Sequence, residues 1–583
     1  SAGEPRLQVL ERSTTGLLMS LELPSLDVRE IDLGDGAYQV LEVPGGGHRG
    51  AEGEPALPTF TQLVALPEGA RADVRVVERD LRDLGTLRLA PNPGIRPHDE
   101  AGPARVDQAR YAASGASEAA VRLGEPARMH GLRGVPVTFS PVAYDPATGQ
   151  AQAARRMTVE VSFAGAAPGA KALDARMIPE SFDRIFQAEV AGYERDTDVQ
   201  VGPGSYVVIC QDNATVIDAL QPLLEWRRRQ GYNVILATTS ETGSSTGAIK
   251  SWLQTRYNNL DPALEFVVMV GDANGAVTTP TWREGYSGYS GEGDHSYTTL
   301  DGGDVLSDVH IGRLSVTSTT QLQNVVNKIV AYESTPDMSD PSWFTTAGLT
   351  GDPSASGMST IFVNQFVKEQ LLDLNYTQID TIFSGYYLNQ MMATINQGET
   401  IFTYRGYLGM SGMNDGHISS LGNGQKLPYA VILTCATGSF WSDTNCRSEA
   451  FLRASNGGGI ASIGTATTGT HTRYNNCMFL GIMNGVLNSD EHRVGPSLTR
   501  GKLNLYNNYW DNEWQNVWVW STWNNLMGDP ATEIFTGVPA EIAVDYPNAV
   551  AQGANALPVT VTDGGVPVAG ARVLVLGVAF KPD

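Results

Sequence analysis

Cysteine is scarce in this chain, which has four cysteines among 583 residues and no CxxC pair. So few cysteines exclude a disulfide framework, and without a CxxC pair a thiolate zinc site has no support. Cys210 ends the apolar run 206–209, so we predict that it is a core residue. Cys446 and Cys477 lie in segments that flank Cys435, and the sequence leaves open whether these two form a disulfide.

Long apolar runs and an excess of basic residues are also missing. No run approaches the roughly 18 apolar residues of a membrane-spanning helix, so we predict no membrane span. The 63 acidic residues outnumber the 40 Lys and Arg residues, which gives a formal net charge of -23. Because phosphate binding needs basic patches and none is concentrated here, nucleic acid is excluded as a partner. The chain begins at Ser1 rather than at a methionine, and we expect a secreted or cell-surface protein whose signal peptide has been removed.

A chain of 583 residues is too long for a single hydrophobic core, so we predict several domains. Residues 1–165 are predicted as a β-rich N-terminal domain, because runs such as RADVRVVE and MTVEVSF alternate apolar and polar residues between turns. Residues 166–204 are predicted as a linker around one amphipathic stretch, SFDRIFQAEV. Residues 541–583 alternate with period two around a DGG turn, which is typical of the start of an Ig-like β-sandwich with too few strands to close.

Residues 205–540 show a different pattern, in which strands and helices alternate. SYVVICQ, YNVILATT and EFVVMVGD are strand-like, and the segments between them have the apolar spacing of helices. This alternation predicts an α/β domain with a mostly parallel sheet and right-handed crossovers.

The segment from 398 to 440 is the centre of the predicted site. Two short apolar runs, 401–404 and 430–433, are typical of buried parallel strands. The first is followed by Gly406 and Tyr407, and the second by Cys435. Chemistry in α/β sheets gathers where loops leave the carboxyl ends of adjacent strands. A thiol at one strand end with a partner group at the next is how a cysteine nucleophile and its base are assembled.

Four segments of the chain are informative together: LTCATGSF, NCRSEAFLRA, GGGIASIGTA and, near the end of the α/β region, WNNLMGDPATEIFTGVP. They resemble the gingipain-like cysteine peptidases of family C25. It implies a caspase-like fold for residues 205–540, preceded by a β-rich propeptide and followed by an Ig-like domain. It also implies a secreted proenzyme that cleaves protein or peptide substrates, requires no cofactor and has a propeptide in contact with its catalytic domain.

The resemblance also assigns catalytic roles, with one mismatch. Cys435 takes the position of the nucleophile, and the backbone amides of Gly406 and Cys435 are candidate oxyanion donors. The family's histidine motif is roughly Tyr-x-Gly-His-Gly, and this chain has Tyr-Arg-Gly-Tyr at 404–407, so Tyr407 stands where the histidine is expected. A phenol with a pKa of about 10 is a poor base near neutral pH. Asp352 matches an acidic residue of the family loosely, and its alternative interpretation is a helix cap before Pro353.

Two histidines are candidates for a displaced base. His417 lies further along the loop that contains Tyr407, and His471 follows the next predicted strand at the same sheet edge. The alternative for both is an ordinary surface loop histidine. His417 is the preferred candidate at this stage.

Closely spaced carboxylates in the stretch GDHSYTTLDGGDVLSD suggest a structural calcium site formed by Asp294, Asp301 and Asp304. The spacing is not that of an EF-hand, and the alternative is an acidic, solvated loop. The other histidines are predicted to have no chemical role: His310 is expected to pack within a strand, and His48, His98 and His130 to lie on the surface.

Two functions of different class follow from these observations. The first is a secreted cysteine endopeptidase, made as a proenzyme, that hydrolyses peptide bonds through the Cys435 thiolate. The second is a pseudopeptidase, in which the same scaffold serves binding or surface architecture and the thiol is incidental. The cysteine favours the first and Tyr407 favours the second; we adopt the peptidase as the working hypothesis.

Overall fold

The computed structural model describes most of the chain. The described residues are 5–43, 45–92, 105–113, 120–167, 169–173, 177–441, 445–489, 491–511, 513–540, 542–547, 558–563 and 565–567.

The N-terminal region is built almost entirely of strands, as the alternating sequence predicts. Its elements are β1 (Arg6–Ser13), β2 (Gly16–Glu22), β3 (Asp27–Asp32), β4 (Ala37–Glu42), β5 (Gly47–Arg49), β6 (Leu57–Ala65), β7 (Arg71–Thr86), α1 (Gln108–Tyr111), β8 (Val121–Leu123), β9 (Ala127–Met129), β10 (Leu132–Phe139), β11 (Val142–Tyr144) and β12 (Gln150–Ala164). Strands β1, β2, β12 and β11 follow one another in one sheet, with β7 also paired to β12, while β6, β10 and β8 belong to a second sheet. Apolar residues of both sheets meet in one core that includes Met19, Val137 and Val159.

The predicted linker is wrong in its described part, because much of it is folded. Residues 177–202 contain β13 (Met177–Pro179), α2 (Glu180–Glu189), β14 (Val190–Ala191) and β15 (Gln200–Gly202). Strand β14 pairs with β6 of the N-terminal region. Phe182, Ile185 and Phe186 of α2 are fully buried in the core shared with the α/β region. The amphipathic stretch is therefore a docking helix, since its apolar side chains need a partner surface.

The α/β region alternates strands and helices from residue 205 onward. Its elements are β16 (Ser205–Cys210), α3 (Ala214–Arg229), β17 (Asn233–Thr238), α4 (Thr239–Thr242), α5 (Thr246–Asn259), β18 (Leu264–Val270), β19 (Trp282–Tyr286), β20 (Tyr289–Gly293), β21 (His310–Leu314), α6 (Thr319–Ser334), β22 (Thr346–Gly351), α7 (Pro353–Ser356), α8 (Ser359–Asp373), β23 (Gln378–Ile382), α9 (Tyr387–Gln397), β24 (Ile401–Arg405), α10 (Asp415–Ser419), β25 (Tyr429–Ile432), α11 (Arg447–Arg453), β26 (Ala461–Thr465), α12 (Thr472–Leu487), α13 (Val494–Tyr509), α14 (Trp514–Trp523) and β27 (Asn524–Met527).

Ten of these strands form one sheet in the order β17-β16-β18-β21-β27-β26-β25-β24-β22-β23. All neighbouring pairs are parallel except β26 and β27, which are antiparallel. Alternate residues of β16 enter different cores, with Tyr206 and Val208 on one face and Val207 and Ile209 on the other. Helices therefore cover both faces, which explains why the strands are continuously apolar. Cys210 is fully buried, as predicted.

The C-terminal segment forms a small antiparallel sheet of β28 (Ile542–Asp545), β29 (Thr560–Asp563) and β30 (Val566–Pro567). The rest of the predicted Ig-like domain lies outside the described residues, so that prediction is untested. Among the helices of the described residues, none is long and apolar enough to cross a membrane.

Candidate active site

The carboxyl ends of four neighbouring strands bring the predicted site residues to one edge of the sheet. Asp352 follows β22, Gly406 follows β24, Cys435 follows β25 and Thr470 follows β26, and these strands are paired in parallel. The hydroxyl of Thr434 donates a hydrogen bond to the carbonyl oxygen of Gly406 at 2.9 Å. The loop of the cysteine and the loop of the histidine motif are therefore tied together at their first residues.

Cys435 is buried, and its Sγ atom lies 2.8 Å from Oγ1 of Thr470. The next residue, Ala436, has a φ of 55°, a left-handed conformation that turns the chain sharply after the cysteine. The Ala436 N–H donates to the carbonyl oxygen of Thr467, which lies on the same loop as Thr470. Two contacts thus join the cysteine turn to the loop after β26.

The loop after β24 is tightly packed at its start. A Cβ atom on Gly406 would lie 2.5 Å from the phenol oxygen of Tyr404, so only glycine fits there without displacing that ring. Burial raises the pKa of Tyr404 to about 12, although its bond to Ser411 opposes the shift. Tyr407 is half-buried, and its carbonyl oxygen accepts a hydrogen bond from the Met410 N–H. No described contact gives the Tyr407 phenol a catalytic partner.

Asp352 acts as a helix cap in the structure. Its Oδ1 accepts hydrogen bonds from the backbone N–H and the hydroxyl of Ser354, at the start of α7. Its Oδ2 accepts a 2.6 Å hydrogen bond from Ser411, which also bonds to Tyr404. Burial would raise the pKa of Asp352, but the hydrogen bonds from Ser354 and Ser411 together hold it below its usual value. Asp352 is therefore a charged residue that organises loops, which is the alternative interpretation of its sequence.

His417 caps the short helix α10. Its backbone N–H donates to Asn414 Oδ1 at 2.9 Å, and its Nδ1 accepts the Asn414 N–H at 3.3 Å. An acceptor at Nδ1 places the proton of the neutral ring on Nε2. The structure shows no hydrogen bond between His417 and Cys435.

His471 is the N-cap of α12 and immediately follows Thr470, the residue in contact with the thiol. Its Nδ1 accepts the N–H of Arg473 at 3.1 Å, and its ring lies edge-on to Tyr474. Thus both candidate bases use Nδ1 to cap a helix. Of the two, His471 is the one whose neighbour in the chain contacts Cys435.

Buried charges fix the helix that follows the cysteine loop. Arg453 of α11 donates to Asp272 Oδ2 at 2.9 Å and to Glu449 Oε1 at 2.6 Å. Burial raises the pKa of Glu449 to about 7, against the attraction of Arg453. Because Asp272 lies just after β18 while Arg453 and Glu449 belong to α11, this network ties the helix after the cysteine loop to the end of another strand.

Lys328 holds the other end of α11. Its ammonium group donates to four backbone carbonyl oxygens, those of Phe451, Leu452, Ala454 and Gly457, at 2.8 to 3.3 Å. The last carbonyls of a helix have no partner within the helix. Lys328 supplies that partner and anchors α11 to α6.

The structure does not bring the predicted calcium ligands together. Asp294 is buried and paired with Arg313, with Oδ1 and Nη2 2.7 Å apart. Asp304 accepts hydrogen bonds from the backbone of Arg128 and Leu306. Among the described residues no group of three His, Cys, Asp or Glu side chains is arranged to hold a metal. Asp301 lies in the same loop, and calcium binding stays an untested prediction without structural support.

This acidic loop instead contacts the N-terminal region. Asp308 accepts the backbone N–H of His130 at 2.8 Å, and the His130 ring Nδ1 lies 2.7 Å from the Asp308 carbonyl oxygen. Phe182 stacks between the rings of His130 and His310. Burial lowers the pKa of His130 to about 4. The prediction of a surface histidine is wrong for His130, because its contacts come from residues far away in the sequence; His310 is buried, as predicted.

His48 is also not a free surface histidine, since it is half-buried and bonded to the Leu41 carbonyl oxygen. His98 lies outside the described residues.

The contact between Cys435 and Thr470 was not predicted from the sequence. Thr470 nevertheless follows a predicted strand, as Cys435 does. The rule that strand ends converge was therefore sufficient to find it.

A mostly parallel α/β sheet with a buried thiol at a strand end, beside the loops of its neighbours, is an arrangement in which a cysteine nucleophile can be assembled. Comparison with known proteins agrees. The family model "Peptidase family C25" matches residues 200–535, and the C25 propeptide model matches residues 1–200. The chain belongs to peptidase family C25, with a propeptide region and a catalytic domain.

The relatives are distant in sequence. Gingipain R2 of Porphyromonas gingivalis is 23% identical over 94% of this chain and 77% of its own length. Lys-gingipain HG66 of the same organism is 24% identical over 77% of this chain, which spans only 27% of that protein. The crystal structure of the Arg-specific cysteine proteinase gingipain R has a TM-score of 0.55 at 21% identity, covering 61% of this chain and 84% of the other. The complex of the pro- and mature domains of RgpB from P. gingivalis has the same TM-score and identity and covers 63% and 90%. These structures support the fold.

Proposed function

We propose that this protein is a cysteine endopeptidase, made as a proenzyme, in which Cys435 is the nucleophile and His471 is the displaced base. The observation that carries the proposal is the 2.8 Å contact between the Cys435 thiol and Thr470, the residue before His471. His471 is the next residue in the chain, and consecutive Cα atoms are about 3.8 Å apart. The backbone of His471 therefore lies close to the residue that contacts the thiol.

The reaction would follow the usual course of thiol proteolysis. The thiolate attacks the peptide carbonyl carbon, a C–S bond forms, and the C–N bond breaks as the imidazolium gives its proton to the leaving amine. Water then hydrolyses the thioester, and the thiol is regenerated. The amides of Gly406 and Cys435 remain the candidate donors to the oxyanion.

His471 must leave its capping position to act as a base. While Nδ1 accepts the Arg473 N–H, the neutral ring carries its proton on Nε2 and has no lone pair there for the thiol. Releasing one backbone hydrogen bond costs about 0.5–1.5 kcal/mol, which a bound substrate or loss of the propeptide can offset. His417 would have to break a comparable cap, and it has no neighbour in contact with Cys435.

The contacts of the N-terminal region support a proenzyme. Its strand β9 and residue His130 are bonded to Asp304 and Asp308, and α2 is buried in the core of the catalytic domain. We further propose secretion or display at the cell surface, from the acidic composition and the family. The names of the relatives refer to Lys or to Arg. We assign no cleavage site to this chain from those names.

The second candidate function is a pseudopeptidase. It is favoured by Tyr407 at the expected histidine position and by the capping roles of both His417 and His471. In that case the scaffold would bind a partner without cleaving it.

The experiment that separates these functions is hydrolysis of a denatured protein by the full chain, before and after limited tryptic digestion. Cys435→Ala is the control for thiol-dependent cleavage. Cleavage that requires Cys435 and increases after digestion supports the proenzyme. If the wild type and Cys435→Ala are equally inert, with and without digestion, the peptidase proposal is wrong.

A further inference from the structure

Large apolar side chains are exposed at the same sheet edge as Cys435. Met358, Tyr386, Leu408 and Trp441 are 52%, 84%, 47% and 37% exposed, respectively. They lie in the loops that follow β22, β23, β24 and β25, which are four neighbouring strands. Exposed apolar side chains that gather at one place are typical of a binding surface, whereas single ones need no explanation. These four residues are called the apolar rim below.

Asp352 ties two of these loops together, and the neighbouring Gly351 contacts the third. Its bonds to Ser354 fix the turn that leads to Met358, and its bond to Ser411 fixes the loop that contains Leu408. The phenol of Tyr387 lies 3.5 Å from the carbonyl oxygen of Gly351, the residue before Asp352. Tyr386, the residue before Tyr387, is therefore held close to the end of β22 as well.

Trp441 is held from the other side of the cysteine. Its N–H donates to Glu292 at 2.8 Å, and its carbonyl oxygen accepts from Asn274 at 2.8 Å. The guanidinium of Arg283 lies 5.5 Å from the centre of its ring. A tryptophan that is positioned by several neighbours and is still partly exposed is prepared to contact a ligand.

Among the described residues, the cation of Arg283 lies beside the Trp441 ring. The carboxylates of Asp352 and Glu292 accept hydrogen bonds from the protein. A large apolar side chain entering here would meet aromatic and aliphatic surface, whereas an Arg or Lys side chain would meet the Arg283 cation at Trp441.

We infer that the apolar rim is the substrate-binding face of the peptidase, and that it selects extended peptides with large aromatic or aliphatic side chains near the scissile bond. This inference rests on the proposed function and specifies its substrate class. Four neighbouring strands span about 14 Å at roughly 4.8 Å per spacing, which is the length of about four residues of extended peptide. A short stretch of substrate therefore reaches all the rim loops while its carbonyl lies at Cys435.

The test uses peptides that differ in the residue before the scissile bond, which is Phe, Leu, Arg or Lys. Wild-type chain, intact and after limited tryptic digestion, is compared with the double variant Tyr386→Ser/Leu408→Ser. Leu372→Ser is the matched control, because Leu372 is 53% exposed and lies at the other end of α8, away from the strand ends. Binding of fluorescent, uncleaved peptides to Cys435→Ala is measured in parallel, with and without the double change.

The inference predicts at least 10-fold faster cleavage after Phe or Leu than after Arg or Lys. It also predicts a KM at least fivefold higher in the double variant, with Leu372→Ser unchanged. Preferred cleavage after Arg or Lys would overturn the inference and leave the proposed function intact. If the wild type cleaves no peptide, but Cys435→Ala binds Phe and Leu peptides through the rim, the binding surface is supported and the proposed function fails. Equal binding of all peptides, unaffected by the double change, would overturn the inference as well.

Discussion

The Cys435 thiol and the Thr470 hydroxyl lie 2.8 Å apart and connect the ends of two parallel strands, β25 and β26. In a thiolate this hydroxyl becomes a donor to sulfur, and a hydrogen bond to a charged group contributes about 1.5–3 kcal/mol. In the proposed peptidase, this contact therefore orients the Cys435 thiol and favours its thiolate form.

Replacing Thr470 by valine, which has nearly the same shape, should slow alkylation of Cys435 at pH 7 by about 10-fold, because the thiolate loses its donor. Rates are measured with iodoacetamide followed by mass spectrometry of the cysteine peptide. Thr470→Ser keeps a hydroxyl and should react like the wild type. Equal rates in Thr470→Val and wild type would show that the contact has no effect on the thiol.

Changing Tyr407 to phenylalanine should leave peptide hydrolysis within about threefold of the wild type. The Tyr407 phenol has no described contact with Cys435, and removing its hydroxyl leaves the ring in place. Initial rates at saturating and at limiting substrate concentrations measure kcat and kcat/KM of the variant and the wild type. A loss of 100-fold or more in kcat would contradict His471 as the base and assign that role to Tyr407.

Lys328→Met should destabilise the protein by about 2–3 kcal/mol, because the four carbonyl oxygens at the end of α11 lose their donor. Urea unfolding followed by tryptophan fluorescence measures the midpoint. Lys368→Met is a suitable control, since Lys368 lies on α8 without such a cluster of carbonyls among its described contacts. If both variants unfold at the wild-type midpoint, the hydrogen bonds from Lys328 to these carbonyl oxygens do not stabilise the protein.

Glu399→Gln should remove a pH dependence of stability. Glu399 is fully buried, and its Oε1 has no hydrogen-bond partner among the described residues. Burial raises the pKa of Glu399 well above its usual value, although Thr394 donates to Oε2 at 2.9 Å. The folded protein therefore holds a proton that the unfolded chain loses above about pH 4.5. The contribution of Glu399 to the free energy of unfolding consequently falls as pH rises from that value towards the folded pKa.

The comparison for Glu399 is unfolding at pH 5 and at pH 8. The stability difference between Glu399→Gln and wild type should shift in favour of the variant at the higher pH. Thr394→Val is included because it removes the one bond that favours the carboxylate, so its loss of stability should be larger at pH 8. A pH-independent difference for Glu399→Gln would mean that Glu399 is ionised in the folded protein.

The position of Cys435 was predictable from the sequence because it depends on local signals. An apolar run followed by small residues marks a buried strand and its loop, and parallel strands converge at one edge. The capping role of Asp352 could also be predicted, since an acidic residue before Pro353 and Ser354 is a local helix-cap pattern.

Other features depend on partners far away in the chain. His130 is buried by Asp308, 178 residues later in the sequence, and Asp294 is paired with Arg313. The helix α2 was identified as amphipathic, but the sequence does not say that a second domain covers it. The capping roles of His417 and His471 depend on which ring nitrogen faces a backbone N–H, which no spacing pattern reveals.

The central claim is that Cys435 is activated by His471, and the most direct measurement is labelling by a peptidyl thiol-reactive probe between pH 5 and pH 9. His471→Ala and His417→Ala are compared, since each removes an imidazole whose Nδ1 accepts a backbone N–H at the start of a helix. We predict selective labelling of Cys435 in the wild type and in His417→Ala, and a loss of 100-fold or more in His471→Ala. Labelling that is unaffected in His471→Ala, or no faster than that of an ordinary exposed thiol in the wild type, would contradict the account.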